Sequence, residues 1–243
     1  MIKKGFTLIE ALVAILILGL VATLVIPTLA SNIRKQTYAS ALSNAVTNFE
    51  SAMEADMLKA GTNELPEQAW WIDLSNTLND SVIINFKNNV TKSLALTDYS
   101  KTPLSYKTLE GGDVSNDILK IAVRFMTKNG IEYQIYIGSD GWPDEVPVTG
   151  KPESEALANN VNYTSRAGVV FIDVNGDKLP NILGRDLFWF DVGVDGKLYP
   201  YGSRDYCFFY GTTYSNVSTE CVTNKKGEYC AAHLIKNGYK MDY

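Results

Sequence analysis

The chain reads as an α+β protein: a long N-terminal helix, membrane-spanning in its first half, packed on an antiparallel β-sheet head. Three observations predict this. From Ala11 to Ile26 there is no charged residue, and the apolar character runs on through Pro27 to Ala30. Beyond it, Leu42, Ala45, Val46, Phe49, Ala52, Met53 and Met57 recur at spacings of three and four, the stripe of an amphipathic helix. After Gly61 the pattern changes to short β-rich runs punctuated by turn residues. The composition suits a folded chain: 46% of the 243 residues are apolar and 20% charged, which excludes disorder as the main state. A formal net charge of -5 argues against a nucleic-acid binder, because phosphate neutralisation needs a basic face.

The first element is the apolar run. As a helix, Phe6 to Ala30 measures about 37 Å, enough to cross a hydrocarbon core of about 30 Å. Lys3 and Lys4 precede it and would hold the short leader on the cytoplasmic side, sending the rest outward. Three readings compete. Thr28 and Ala30 are small residues of the kind found before a secretory cleavage site, but the run is long for a cleaved signal and carries Glu10 near its start. An uncleaved anchor would tolerate Glu10 near the interface. The third reading makes Glu10 functional, since a carboxylate in apolar surroundings is costly unless it has a partner.

The helix pattern continues past the membrane. Pro27 removes a hydrogen bond and is expected to kink or locally melt the run. Gly61 is a plausible C-cap. Phe6 to Ala60 would then form one helix of about 80 Å, bare in its first half and packed on a domain in its second. The alternative is a membrane helix followed by an unrelated one. A bare half serves a purpose once other copies cover it.

In the head, Glu64-Leu65-Pro66-Glu67 marks a break, and Gln68 to Leu78, with Trp70 and Trp71, forms a short helix or loop. Residues from about 82 onward read as β. Ile118–Phe125 and Ile131–Ile137 are strands joined through Thr127-Lys128-Asn129-Gly130, where Asn-Gly signals a hairpin because both residues tolerate positive φ. Gly168–Val174 and Asp186–Val192 are further strands. The segment from Val192 to Lys197 then turns into Leu198-Tyr199. No repeat or interdomain linker is visible, so the head is one unit.

Lys3-Lys4-Gly5-Phe6-Thr7-Leu8-Ile9-Glu10 resembles the leader and cleavage site of type IV prepilins and type II secretion pseudopilins. Gly19 and Pro27 also stand where that family often carries Gly and Pro, and the resemblance covers roughly the first 60 residues. It implies cutting between Gly5 and Phe6 by a membrane-embedded prepilin peptidase, followed by N-methylation of Phe6. It also implies that Glu10 neutralises the new amine of a neighbouring subunit during assembly. The resulting organisation is leader 1–5, transmembrane and filament-core helix 6–30, amphipathic continuation 31–61 and extracytoplasmic α+β head 62–243. Losing Lys3 and Lys4 would make the side-chain charge more negative still.

Several constellations in the head bear on chemistry. Asp173, Asn175 and Asp177 alternate in a segment that continues to Gly184 and Asp186, and their oxygens suit a hard cation such as Ca²⁺. The spacing departs from an EF-hand loop, and a plain Asn-Gly turn with Asp side chains bonding the backbone is the competing reading. Some pseudopilins hold Ca²⁺ in a loop of the β-region, which the resemblance adds in favour of the cation. No other cofactor is expected. Ser139 to Asp144 reads as a turn.

Cys207, Cys221 and Cys230 allow three disulfide pairings with one cysteine left over. An extracytoplasmic head permits a bridge, and members of the resembled family often close a C-terminal loop with one. Cys230 opens a short helix ending at Gly238. His233 is the only histidine and sits in that helix without a supporting catalytic motif, so a structural role is expected. No GxSxG, HExxH or P-loop occurs. The tyrosines at 199, 201, 206, 210 and 214 suit strands and loops better than a binding surface.

The resemblance thus implies a structural filament subunit rather than an enzyme. Its place would be in a type II secretion pseudopilus or, as a minor pilin, in a type IV pilus. The large head favours a specialised component, and Glu10 argues against the tip subunit that lacks this residue in the secretion family. Expected partners are the inner membrane, the prepilin peptidase, other subunits and the assembly machinery, with the head in the periplasm or cell exterior. A membrane-anchored extracytoplasmic enzyme or ligand-binding module is the alternative.

Overall fold

The computed structural model describes residues 7–63, 65, 90–94, 105–114, 123–136, 166–176, 178–193, 195–201 and 217–243. The expectations for Gly5, Phe6, Trp70, Trp71, Ser139 to Asp144, Asp177 and Cys207 lie outside the described residues. So do those for Tyr206, Tyr210 and Tyr214.

One helix, α1, runs over Leu8–Ala60 and contains Pro27 in its interior. The expected melting at Pro27 does not occur, for the turns on either side keep the helix going. Thr23 Oγ1 donates to the Leu20 carbonyl at 2.8 Å and Thr28 Oγ1 to the Leu24 carbonyl at 3.2 Å, so local hydroxyls add bonds around the one that proline removes. The helix stops where glycine takes a positive φ of 73° at Gly61. There, Gly61 N–H donates to the Leu58 carbonyl and Thr62 N–H to the Met57 carbonyl, the paired bonds of a Schellman cap.

The chain divides into two compact units, Met1–Thr37 and Tyr38–Tyr243. Among the described residues of the second, six strands form one antiparallel sheet in the order β1 to β6: Val90–Leu94, Val123–Thr127, Glu132–Tyr136, Arg166–Asp173, Leu187–Gly193 and Leu198–Pro200. The described strands follow one another in the sheet in sequence order, and short hairpins set the register at β2–β3 and β5–β6. Between β2 and β3, Gly130 N–H donates to the Thr127 carbonyl and Thr127 N–H to the Ile131 carbonyl. Gly130 has φ of 82°, whereas Asn129 is not among the positive-φ residues. The hairpin is therefore a type I turn closed by a glycine bulge, and only one of the two residues uses its tolerance of positive φ. The β5–β6 hairpin repeats the pattern, with Gly193 N–H on the Lys197 carbonyl and Gly196 N–H on the Gly193 carbonyl.

All seven residues of the predicted helical stripe, from Leu42 to Met57, are buried. They form one core with Phe125, Tyr133, Ile135, Val170, Ile172, Phe188, Phe190 and Val192, the inward face of the sheet. Tyr133 stacks between Phe49 and Phe125, and its hydroxyl donates to the Ala45 carbonyl at 3.0 Å. The opposite face carries a second core of Tyr106, Val114, Val169, Phe171, Leu183, Leu187 and Trp189. With both faces covered, β5 is buried along its whole length, which is why it reads as an apolar run rather than an alternation. Two short helices close the chain, α2 (Val217–Thr223) and α3 (Cys230–Lys236).

Candidate assembly site at the start of the long helix

Within the first unit, the large apolar side chains of α1 from Leu8 to Ile33 are exposed, including Leu12, Leu16, Leu20, Leu24 and Leu29. α1 is long and apolar enough to cross a membrane. Glu10 is the one acidic residue in its first turn. Its carboxylate is not solitary: Oε2 accepts the Thr7 backbone N–H at 2.8 Å and the Thr7 hydroxyl at 2.7 Å. In return, Glu10 N–H donates to Thr7 Oγ1 at 3.3 Å. Thr-Leu-Ile-Glu is thus a capping box, which satisfies helix-start donors that hydrocarbon cannot. Reading the sequence for the carboxylate alone misses Thr7; the Thr-x-x-Glu spacing is the signal that finds it.

In the head, Asp173 is fully buried. Its Oδ1 accepts the backbone N–H groups of Asn175 and Gly176 at 3.0 and 2.7 Å, and its Oδ2 accepts the Tyr106 hydroxyl at 2.7 Å. Gln134 Nε2 donates onward to Tyr106 Oη and to Glu132 Oε1, the latter at 2.6 Å. Burial pushes the Asp173 carboxyl up to about 7, against the lowering effect of the Tyr106 and backbone bonds. Burial likewise raises Asp186, whose carboxylate accepts the Ile182 N–H. Asn175 Nδ2 donates to the Lys178 carbonyl and to the Tyr38 hydroxyl on α1, while its Oδ1 is buried without a hydrogen-bond partner. Asp173 and Asn175 therefore organise one tight turn. Among the described residues, no three His, Cys, Asp or Glu side chains converge as a metal set.

Cys221 and Cys230 form a disulfide, one of the three pairings the sequence leaves open, and it ties α2 to α3 with Cα atoms 4.8 Å apart. His233 is buried on α3, with Nε2 2.7 Å from Asp242 Oδ1 and its ring edge on Tyr243. That bond holds the Asp242 carboxyl below the usual range. Tyr243 in turn donates its hydroxyl to the Gly184 carbonyl at 2.7 Å. The histidine thus holds the last residues onto the head, a structural role.

The family model for the prokaryotic N-terminal methylation motif matches residues 1–26, the segment that contains Thr7 and Glu10. The N-terminus carries that motif. The chain is 44% identical over 64 residues to a type II secretion system core protein G of Pectobacterium carotovorum subsp. carotovorum, covering 26% of this chain and 39% of that one. To the protein of the same name from Aeromonas hydrophila it is 39% identical over 71 residues, covering 29% and 48%. The matches span less than half the length of these curated relatives. No solved structure matches the chain. Its long helix on an antiparallel sheet is the α+β architecture expected of the family.

Proposed function

We propose that the chain is a structural subunit of a pilin-like filament working in type II protein secretion, a pseudopilin rather than an enzyme. The observation that carries this reading is a motif-matched N-terminus on a helix whose apolar face, from Leu8 to Ile33, is bare in the single chain. Such a surface is stable in a bilayer and, outside it, only against other copies. In this reading the prepilin peptidase cuts between Gly5 and Phe6 and Phe6 is N-methylated. The span sits in the inner membrane with the head outside the cytoplasm. Glu10 then meets the amine of a neighbouring subunit, so that two charges costly in apolar surroundings offset each other. The names of the relatives favour secretion over a type IV pilus.

N-terminal mass spectrometry of protein purified from its membrane is the test. N-methyl-Phe6 is expected, and a retained Met1 would point to the plain anchor of a membrane-bound enzyme or binding module. A Ca²⁺ ion held by Asp173, Asn175 and Asp177 is part of the proposal, supported by the unpartnered Asn175 Oδ1. Calorimetry at millimolar Ca²⁺ tests it, and the absence of heat would remove the site.

A further inference from the structure

Within the second unit, the two ends of the sheet lie against opposite ends of the packed part of α1. At one end, Asn175 Nδ2 donates to the Tyr38 hydroxyl at 3.2 Å and to the Lys178 carbonyl at 2.8 Å. The β2–β3 turn lies against the same loop, since a Cβ on Gly176 would fall 2.8 Å from the Gly130 carbonyl oxygen. At the other end, Leu198 N–H bonds Glu50, and a Cβ on Gly196 would fall 2.7 Å from Met57 Cε. From Tyr38 to Met57, α1 rises about 28 Å.

The Tyr38 end is basic, although the whole chain carries a net charge of -5. Lys128 is exposed on the β2–β3 turn and Lys178 on the loop after β4, with Arg185 half-exposed further along that loop. Lys225 and Lys226 are exposed on the segment that packs on Leu183, where a Cβ on Gly227 would fall 2.0 Å from the carbonyl oxygen. Of the described carboxylates nearby, Asp173 and Asp186 are fully buried, and Glu228 is half-buried beside Lys226. Asp113 and Asp242 are engaged by Lys107 and His233. Next to Lys178, Leu179 is 82% exposed, the most exposed large apolar side chain among the described residues of the second unit. A lone exposed leucine needs no explanation, but one set among lysines and arginine has the make-up of an interfacial anchor.

The covalent chain fixes what lies near this end. Ile33, the last exposed large apolar residue of the apolar run, stands five positions before Tyr38. Five residues reach at most about 18 Å even when fully extended. The headgroup layer itself is about 5–7 Å deep on each side of the hydrocarbon. While the span is inserted, the Tyr38 end is therefore held beside headgroups at high effective concentration.

We propose that the Tyr38 end of the head docks on the anionic lipid surface of the bilayer that holds the chain's own span. Leu179 enters the boundary between headgroups and acyl chains, and Lys128, Lys178, Arg185, Lys225 and Lys226 face lipid phosphates. Lipid is the occupant because the tether presents it to every inserted chain and because its charge complements the basic end. The inference rests on the membrane-span part of the proposed function, and not on filament assembly or secretion.

The test reconstitutes the full chain singly in lipid nanodiscs and labels its side chains with hydroxyl radicals. Leu179 is read against Leu58, which is 74% exposed beside Met57 and serves as the internal standard. With about one-third phosphatidylglycerol in phosphatidylcholine, the Leu179-to-Leu58 labelling ratio should fall at least about threefold below that in phosphatidylcholine alone. Raising salt to about 0.5 M should restore the ratio, because the attraction is screened. The double substitution Lys128→Gln, Lys178→Gln should restore it as well. Equal ratios in the two kinds of disc would overturn the proposal, as would protection that neither salt nor the double substitution relieves. Protection that appears only when two copies share a disc would also overturn it and assign this end to contact between copies. A chain that never enters the discs would remove the membrane-span reading and this proposal together, whereas an inserted chain with unprotected Leu179 removes the proposal alone.

Discussion

The Glu50 carboxylate on α1 accepts the backbone N–H of Leu198 on β6, with Oε1 3.0 Å from the nitrogen. β6 is the edge of the sheet, and an edge N–H is an invitation to pair with another strand. Here the helix itself supplies the acceptor, and Pro200 ends the strand after three residues. The same helix that packs the core thereby protects the edge. Glu50→Ala should destabilise the full-length protein in micelles by about 1.5–3 kcal/mol, the range for a bond to a charged group. Denaturant unfolding would measure it; a change under 0.5 kcal/mol would show that the bond contributes little.

Tyr133 separates packing from hydrogen bonding at the helix–sheet contact. Its ring lies between Phe49 and Phe125, and its hydroxyl reaches the Ala45 carbonyl. Tyr133→Phe should cost about 1 kcal/mol, whereas Phe49→Ala, which empties the centre of the core, should cost about 3–5 kcal/mol. The same unfolding experiment ranks the two, and equal costs would contradict the assignment of the core to Phe49.

Asp173 makes a pH-dependent prediction. Burial raises its carboxyl from the ordinary aspartate value of about 4 to about 7. Between those values the folded protein keeps the proton and the unfolded chain has lost it, so rising pH removes stability. The parent should therefore lose stability relative to Asp173→Asn as pH climbs from about 4 to about 7, with the difference constant above that range. Thermal melts of both proteins across the range test the sign. A difference that stays flat would mean that the carboxyl titrates normally.

Reducing the Cys221–Cys230 bridge should loosen the C-terminal helices. It closes a loop with a sequence separation of nine, worth about 2–3 kcal/mol by chain entropy. Cys221→Ser is expected to lower stability by that amount. Peptide mapping under non-reducing conditions should recover the two cysteines in one linked fragment.

Glu10→Ala should leave cleavage between Gly5 and Phe6 intact and block incorporation into filament. Mass spectrometry of the N-terminus reports the first and a sheared-filament assay the second. Normal assembly would sink the role given to Glu10.

Much of this was legible in the residues because the signals are local or periodic. The stripe from Leu42 to Met57 announced the buried face of α1, and Gly61 its end, since period and cap are properties of the chain itself. The hairpin at Asn129-Gly130 was legible as a turn but not as its type. Whether Asn129 adopts positive φ depends on how many residues the loop inserts between paired strands. The oxygens of Asp173 and Asn175 were legible in the sequence, whereas the Tyr106 hydroxyl and the backbone groups that bond the Asp173 carboxylate were not, because only folding brings them to it.

By itself, then, the sequence determined the apolar helix, the motif around Glu10 and the α+β class, all of which follow from neighbours along the chain. Tertiary structure decided the rest. It chose Cys221–Cys230 from three pairings and set Glu50 against the edge of β6. It also buried the Asp173 carboxyl. Each of these joins or encloses groups that the sequence alone does not bring together, and only the closing of the chain into sheet and helix places them within bonding distance.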